Sequence, residues 1–262
     1  MAQRYAHAKQ FKRHKKQIRF LRTRLGRVRR DIARRIKNSP VLQERFAEVL
    51  RKARIIEAQV LNKRASVKLY SWHAPETECI GKGKAHRPYE FGCKATFTTT
   101  NRRTKAGMFV LHADALHGNP FDGHTLGKVL KQTGDLTGVT PTSAYVDKGY
   151  KGHKQNQQTF DAKTRQTTRP PWKVYMSGRK GLKPHIQKEL KRRSAIEPVI
   201  GHMKEQHRLG RNLLAGRDGD RFNAKMAAVA YNFNRLIKWF GALLRLIWTT
   251  VFATMSQTKT AS

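Results

Sequence analysis

Acidic residues are scarce in this chain, which carries 17 Asp plus Glu against 55 Lys plus Arg and a formal net charge of +38 at pH 7. That charge exceeds what solubility requires, and over 262 residues it indicates a large anionic partner, with nucleic acid the first choice. Ribosomal proteins, histone-like proteins and nucleases share this balance, so charge alone does not separate an enzyme from a packaging protein. With 38% hydrophobic residues the chain can still bury a core, which excludes a disordered polycation.

Cysteine is almost absent, since Cys79 and Cys93 are the only two and no CxxC pair exists. Two cysteines cannot build a disulfide framework, and they fit a reducing cytosol. His73 and His86 alternate with them, but gaps of five or six residues do not match the short ligand knuckles of zinc sites. We therefore expect ordinary strand and loop residues here rather than a zinc site.

Long hydrophobic runs are also missing. The N-terminus is basic but has no apolar core like that of a secretory signal. The C-terminal run FGALLRLIWTTVFATM is the one membrane candidate, and it is interrupted by Arg245 and shorter than about 18 residues. We predict a buried or partner-facing amphipathic helix there, with no membrane contact. The expected location is the bacterial cytoplasm, in association with the nucleoid.

The N-terminal part has the periodicity of helices. Apolar residues recur every three, four or seven positions over residues 3–37, which predicts one long helix. The NSP sequence at 38–40 interrupts this pattern and a second apolar stripe follows, so residues 1–64 are predicted to form a basic antiparallel helical hairpin. Asp31 is the only acid among fifteen Lys and Arg in the first arm. A DNA-contacting face is therefore favoured, although a coiled-coil arm for self-association fits the same pattern.

The predicted DNA contacts are basic side chains in three segments. They are Lys9, Lys12, Arg13, Lys16, Arg19 and Arg22 in the first helix, Lys82 and Lys84 in the GKGK loop, and Lys148 and Lys151 after the SAYVD run. The GKGK loop lacks the spacing of a P-loop and the helix that follows one. A plain hairpin loop is the simpler explanation for it than a specific phosphate cradle.

The pattern changes to strands after residue 66. Strands are predicted at 67–72 (VKLYSW), 89–100 (YEFGCKATFTTT) and 107–116 (GMFVLHADAL), as an antiparallel piece. A helix over 123–137 and a strand over 143–147 follow. Strand, helix and strand in this order predict an α/β sheet with functional acids at strand ends, and Asp147 lies at such an end.

Asp147 and Glu197 are two acids placed amid basic stretches, in SAYVDKGYKG and KRRSAIEPVIGHMK. Carboxylates on different elements are what a two-metal phosphoryl-transfer site needs, because Mg²⁺ prefers a few hard oxygen ligands. Such sites have three or more acidic ligands, and only these two candidates are prominent. Simpler roles stay open: Asp147 could close a turn with the following Lys-Gly, and Glu197 in SAIE could complete a capping box.

The segments SAYVDKGYKGH and RRSAIEPVIGHMKEQHRLGRNLLAGRDGDRFNA together resemble the transposases of the insertion-sequence-five group, which are DDE enzymes. Arg193, Glu197 and Lys204 match the family's signature spacing, while Leu190 stands where the family usually has Tyr. LYSWHAPETECIGKGKA, YEFGCK and LHGNPFDGHTL are similar to family sequence as well, so the resemblance covers nearly the whole chain.

The resemblance implies an α/β fold with an RNase H-like (retroviral-integrase-like) core sheet and flanking helices over residues 65–252. The basic hairpin would be an insertion in that core, and residues 253–262 would form a disordered tail. Asp147 and Glu197 would hold Mg²⁺ or Mn²⁺ for cleavage and transfer of DNA strands, while Arg193 and Lys204 contact phosphates or steer the Glu side chain. The partners would be double-stranded DNA, as terminal repeats and target, with homo-oligomerisation an option.

The family's first catalytic Asp has no counterpart here. In the family it lies on an early strand, upstream of the helical insertion. Asp31, Asp114, Asp122 and Glu76 do not occupy the corresponding place in the sequence. We expect an N-terminally truncated reading frame whose metal site is incomplete and inactive alone. The alternative is a non-catalytic DNA-binding transposase remnant that binds element ends or inhibits the full-length enzyme.

Overall fold

The structure, a computed structural model, describes residues 1–82, 88–102, 104, 106–156, 159–161 and 166–259. The side chains of 159–161, 166–168 and 250–259 are outside that description. The chain divides into two units, Met1–Phe91 and Gly92–Ser262. The predicted boundary at residue 64 falls inside the first unit.

Three helices open the first unit, α1 (Ala2–His7), α2 (Phe11–Arg35) and α3 (Pro40–Leu61). The prediction of one helix over 3–37 is wrong, because Lys9 adopts a left-handed backbone with φ of 56° and ends α1. The predicted break before α3 is confirmed. Ser39 accepts a hydrogen bond from the Leu42 N–H, and proline at the first helical position has no N–H to lose.

α2 and α3 pack against each other where α2 has its smallest residue. Gly26 is buried, and a Cβ at this position would collide with the Glu57 carboxylate. Arg29 donates to the same carboxylate, and the two side chains are only 20% and 15% exposed. The N-terminal part of the predicted apolar stripe is not covered by α3, since Phe11 and Leu21 are more than half exposed.

Residues 67–72 do not form the predicted strand. Gln59 of α3 takes the place of a strand partner: its amide nitrogen donates to the Leu69 carbonyl at 3.1 Å, and its amide oxygen accepts from the Leu69 N–H at 2.8 Å. Both backbone groups of the buried Leu69 are thereby satisfied without a sheet. The following strands, β1 (Glu78–Gly81) and β2 (Tyr89–Gly92), form a two-stranded sheet.

The second unit mixes helices with small sheets, as an α/β fold requires. Its strands are β3 (Lys94–Thr99), β4 (Val110–Leu116), β5 (Ser143–Val146), β6 (Thr159–Asp161), β7 (Gln166–Thr168) and β8 (Lys173–Met176). β3 pairs antiparallel with β4, β5 pairs parallel with β8, and β6 pairs antiparallel with β7. In the part of the chain that is described, no ladder joins β3 to β5.

Four helices accompany these strands: α4 (Asp122–Thr137), α5 (Pro184–Arg193), α6 (Ile196–Gln206) and α7 (Gly216–Lys259). Gly138 ends α4 in the left-handed conformation, with φ of 68°, that glycine adopts without strain. α7 runs through residues 253–259, where a disordered tail was expected. Within the described residues, no helix has both the length and the apolarity that crossing a membrane requires.

The second unit has two separate hydrophobic clusters. The first joins β4 to α6 and α7 through Val110, Ala113, Val199, Met203, Ala227, Ala228 and Tyr231. The second joins α4 to β5 and β8 through Leu126, Leu130, Ala144, Val146 and Val174. Consequently α6 and α7 cover β4, while α4 covers the β5–β8 pair.

Two asparagine side chains close strand edges in this unit. Asn232 of α7 accepts from the Val110 N–H at 2.9 Å and donates to the Val110 carbonyl at 2.7 Å. Asn156 accepts from the Val174 N–H at 2.8 Å and donates to the Val174 carbonyl at 2.9 Å. Each amide therefore replaces a neighbouring strand at one residue, on β4 and on β8 respectively.

We predict that Asn232→Ala lowers the free energy of unfolding by about 1–3 kcal/mol, because both backbone groups of the buried Val110 lose their partner. Guanidinium chloride denaturation followed by circular dichroism measures this change. Asn234→Ala on the same helix is the matched control, since it makes the same change in helix propensity away from this clamp. Equal destabilisation by the two variants would contradict the role given to Asn232.

Candidate active site

Asp147 is the first residue after β5 and begins a short 3₁₀ turn (Lys148–Tyr150). Its Oδ1 accepts a hydrogen bond from the Gly149 N–H at 2.9 Å. Asp147 therefore closes a turn with the following Lys-Gly, as one of the two interpretations of the sequence predicts. This hydrogen bond occupies one oxygen only, so Oδ2 remains available on a side chain that is 50% exposed.

Glu197 lies in the first turn of α6, and its side chain is 73% exposed. The capping-box interpretation of SAIE is wrong. The residue at the N-cap is Ala195, no side chain caps this helix, and the Ser194 hydroxyl instead donates to the Lys191 carbonyl at 2.5 Å. The Glu197 carboxylate is therefore not used to begin the helix.

Arg193, the last residue of α5, brings the two acids together. Its Nη1 lies 3.9 Å from Asp147 Oδ2, and its Nη2 lies 3.9 Å from Glu197 Oε1. The side chain is 22% exposed, and its Nε is buried without a hydrogen-bond partner among the described residues. At 3.9 Å the contacts are ion pairs rather than hydrogen bonds. Two carboxylates from different elements thus face one positive charge.

Asp122, in the first turn of α4, also approaches this place. Its Oδ2 and Asp147 Oδ1 lie 3.2 Å and 3.0 Å from the point where a Cβ on Gly149 would stand. Lys94 Nζ holds the other Asp122 oxygen at 2.7 Å. In the sequence Asp122 is indistinguishable from an ordinary acid in the first turn of a helix, where it favours the helix dipole.

Tyr150 closes the site on its buried side, where it packs against the α4–β5–β8 cluster. Burial, followed by the negative charges of Asp122 and Asp147, raises the pKa of Tyr150 to about 12. The phenol therefore stays neutral at physiological pH, and Thr96 lies close to its hydroxyl. The raised pKa shows that the surroundings disfavour a further negative charge.

Lys204 does not join this group in the described contacts. It lies two turns along α6 from Glu197 and lines a different cavity, together with Arg208 and Arg211. The spacing of seven residues places Lys204 and Glu197 on the same helical face, but it carries the lysine away from Arg193. The structure thus brings together Asp147, Arg193 and Glu197, and not the fourth residue of the predicted signature.

The predicted DNA-contacting residues are mostly accessible. Lys9, Lys12, Arg13, Lys16 and Arg19 are exposed, Arg22 is half-buried, and Lys148 and Lys151 are exposed beside Asp147. Lys82 forms an ion pair with Glu90 at 2.9 Å, which reduces its charge toward a phosphate. Lys84 lies outside the described residues.

Asp147 and Glu197 offer a donor set that fits Mg²⁺. Both are carboxylates, both are well exposed, and both already face a shared cation, the Arg193 guanidinium. Mg²⁺ binds through one or two carboxylates and fills its remaining positions with water and substrate phosphates.

The described residues contain another group of three potential metal ligands, Cys93, His117 and Asp220, whose donor atoms lie within 4.8 Å of one another. His117 Nε2 and Asp220 Oδ2 are already 3.1 Å apart, at hydrogen-bonding distance, and Asn212 donates to the other Asp220 oxygen at 2.8 Å. This group mixes sulfur, nitrogen and oxygen and includes neither Asp147 nor Glu197. It is therefore a different kind of site from a pair of carboxylates.

Residues 151–237 match a family model described as a transposase DDE domain. The matched segment is about a third of the chain and contains Arg193, Glu197 and Lys204. This match supports a DDE transposase. No curated protein and no solved structure matches the chain.

Tyr150→Phe should change how stability depends on pH. The phenol pKa is 10.0 when unperturbed and about 12 in the folded chain, so the unfolded state loses its proton first as the pH rises. The stabilisation from neutral Tyr150 is complete below pH 10.0 and is lost as the pH approaches 12. The stability difference between the native chain and the variant should therefore fall by about 2–3 kcal/mol across this range.

Denaturation at about pH 9 and about pH 12 measures that difference. Tyr89→Phe, at an exposed tyrosine, is the matched control for removal of a phenol hydroxyl. A pH-independent difference for Tyr150→Phe would contradict the placement of this phenol beside the two Asp residues.

Proposed function

We propose that this chain carries catalytic residues of a DDE transposase of the insertion-sequence-five group. The observation that carries the proposal is the convergence of Asp147 and Glu197 on Arg193, 3.9 Å from each. The match of residues 151–237 to a transposase DDE domain supports it, because such domains cleave and transfer DNA strands. The +38 charge of the chain suits DNA as the substrate.

The arrangement of the second unit is compatible with an RNase H-like core. An antiparallel pair, β3–β4, and a parallel pair, β5–β8, are connected through α4, and the two acids follow β5 and begin α6. In this proposal α2 and α3 form the basic helical hairpin inserted in that core. Their contact through Gly26 and the Arg29–Glu57 ion pair fits two helices joined by a short turn.

Each residue of the site has a role that its contacts suggest. Asp147 and Glu197 would hold Mg²⁺ or Mn²⁺, and such ions activate an attacking oxygen and stabilise the leaving one. The Gly149 N–H fixes the Asp147 carboxylate by binding one of its oxygens. Arg193 aligns the two acids and can turn its guanidinium to a DNA phosphate. Lys148 and Lys151 lie beside Asp147 and are exposed to contact the DNA backbone.

We propose further that the isolated chain does not cleave DNA. DDE chemistry needs three acidic ligands, and the third carboxylate near this place, Asp122, is neutralised by Lys94 at 2.7 Å. The same ion pair favours a second candidate function, a non-catalytic protein that occupies element ends as a monomer or a homo-oligomer. DNA binding would then survive without strand cleavage.

The exposed face of α2 should contribute phosphate contacts. We predict that Lys12→Gln/Lys16→Gln weakens binding to a DNA duplex and lowers the slope of log K against log salt by about 2, because each lost phosphate contact removes about 0.9. Arg34→Gln/Arg35→Gln on the same helix is the matched control, since both arginines already pair with Asp31. Fluorescence anisotropy between about 50 and 200 mM salt measures the slopes. Equal slopes for the two variants would contradict a DNA-contacting face.

Metal binding should depend on both acids. We predict that Mn²⁺, followed by its electron paramagnetic resonance signal, binds to the native chain and at least tenfold more weakly to Asp147→Asn and to Glu197→Gln. Each change replaces a carboxylate oxygen with a neutral amide and leaves the shape nearly unchanged. Glu205→Gln on the same helix is the matched control and should bind Mn²⁺ like the native chain.

The same preparation tests whether the isolated chain cleaves DNA. Incubated with Mg²⁺ or Mn²⁺ and a plasmid that carries the element's own ends, the native chain should bind the DNA without nicking it. Nicking that Asp147→Asn abolishes would show a complete site and overturn the proposal of an inactive chain. Mn²⁺ binding that is unchanged in both Asp147→Asn and Glu197→Gln would reject these residues as the site.

A further inference from the structure

β3 and β5 face each other across a groove in the second unit. The groove has a volume of about 380 Å³, and it is lined by the consecutive residues 95–101 on one side and 143–147 on the other. Among the described residues, each strand pairs with a neighbour on its far side only, β3 with β4 and β5 with β8. Two unpaired strand edges therefore form the opposite walls of one groove.

The open edge of β5 can be assigned to particular backbone groups. Lys173 N–H donates to the Thr142 carbonyl at 2.9 Å, and Ser177 N–H donates to the Val146 carbonyl at 3.0 Å. Because backbone groups alternate sides along a strand, Ser143 and Tyr145 direct theirs away from β8 and into the groove. Among the described residues, β5 pairs with β8 alone, so no strand pairs with Ser143 or Tyr145 on the groove side.

The outer edges of the two strand pairs, on β4 and β8, differ from the inner edges because asparagine side chains bind them. Asn232 binds both backbone groups of Val110 on β4, and Asn156 binds both of Val174 on β8. The described part of the chain has no such amide on the inner edges of β3 and β5. Side chains thus close the edges that face outward, and the edges that face the groove keep their hydrogen-bonding capacity.

The groove is apolar above and below its two edges. Leu126, Val129 and Leu130 of α4 line one side, and Ile196 and Ile200 of α6 line the other. These residues belong to or adjoin the two separate hydrophobic clusters. A segment that enters the groove must therefore be extended, to satisfy both edges, and apolar on both of its faces, as a central strand is.

The directions of the two walls allow a single strand to pair with both. The start of β3 lies near the end of β5, because Thr96 lies close to the Tyr150 hydroxyl and both residues line the groove. The end of β3 lies near the start of β5, since Thr98 contacts Thr133 while the next residue of α4, Gly134, approaches Pro141. β3 and β5 are thus antiparallel to each other. A strand that runs parallel to β5 runs antiparallel to β3. It would therefore extend the parallel β5–β8 pair with another parallel strand and the antiparallel β3–β4 pair with another antiparallel strand.

We propose that this groove binds one extended segment of about five residues from another polypeptide, which becomes the strand between β3 and β5. Five residues match the length of the β5 wall, at about 3.3 Å per residue. Arg193 lines the Asp147 end of the groove with a buried, unpartnered Nε, a donor that the end of the segment can satisfy. Binding joins the two hydrophobic clusters into one core and two small sheets into one.

A synthetic peptide tests the proposal without DNA or metal, so its result is independent of the proposed cleavage chemistry. The probe has a core of five Val and Ile residues, flanked by Lys, whose charge disfavours unspecific attraction to this basic chain. Hydrogen exchange of the amides of Ser143 and Tyr145 should slow at least tenfold when the peptide is added. The amides of Ala144 and Val146 face β8 and should not change, which provides a control within the same strand.

Two further controls separate strand pairing from unspecific apolar binding. The same peptide with N-methyl groups on alternate core residues cannot donate to one edge and should not protect Ser143 or Tyr145. Ser143→Pro removes one N–H from the open edge and should weaken peptide binding about tenfold, because proline is tolerated at a strand start but donates nothing. Ser143→Ala keeps the N–H and should bind like the native chain.

Three results would overturn the proposal. The first is an unchanged exchange rate at Ser143 and Tyr145 with saturating peptide, and the second is equal protection by the N-methylated peptide. The third is protection of these two amides that grows with protein concentration in the absence of peptide, which would assign the groove to a second copy of this chain. Folding of the proline variant is not needed for any of these results.

Discussion

Each strand has two edges of backbone donors and acceptors, and the arrangement of this chain follows from how those edges are satisfied. Among the described residues, side-chain amides do so on two strands, with Asn156 on Val174 and Asn232 on Val110, and Gln59 does the same for Leu69 outside any strand. Each amide offers one donor and one acceptor, which is what a single residue of a neighbouring strand would offer. The inner edges of β3 and β5 lack such a partner among the described residues, and there the hydrophobic core divides in two.

The positions of Asp147 and Glu197 depend on the strands and helices around β5. β8 pairs with β5 and α4 packs against it. Asp147 follows the last residue of β5, and Arg193 is the last residue of α5. The guanidinium is mostly buried, so its charge is less screened by solvent than that of the exposed lysines. This single cation keeps Asp147 and Glu197 near each other although they belong to different elements. The two acids therefore stay close together although the residues around them are mostly basic.

Local signals predicted those parts of the fold that local interactions decide. The start of α3 follows from a capping serine before a proline, and the end of α4 from a glycine with φ of 68°. The helix break at Lys9 is not marked by glycine or proline in the sequence. The strand expected at 67–72 does not form, because Gln59 of α3 binds the backbone groups of Leu69 that a strand partner would bind. The sequence pattern and the family resemblance predicted Asp147, Arg193 and Glu197 as site residues, and the structure brings these three side chains near each other. The sequence could not reveal Asp122, because its approach to Gly149 depends on how α4 packs beside β5.

The asparagine clamps differ in the time at which they can form during synthesis. Asn156 and Val174 are 18 residues apart, whereas Val110 and Asn232 are separated by 122 residues. At about 5–20 residues per second, a ribosome needs roughly 6–25 s to add the residues between Val110 and its partner, but only about 1–4 s in the other case. The outer edge of β4 therefore emerges long before α7 exists to cover it, and the order of translation exposes that edge to other nascent chains first.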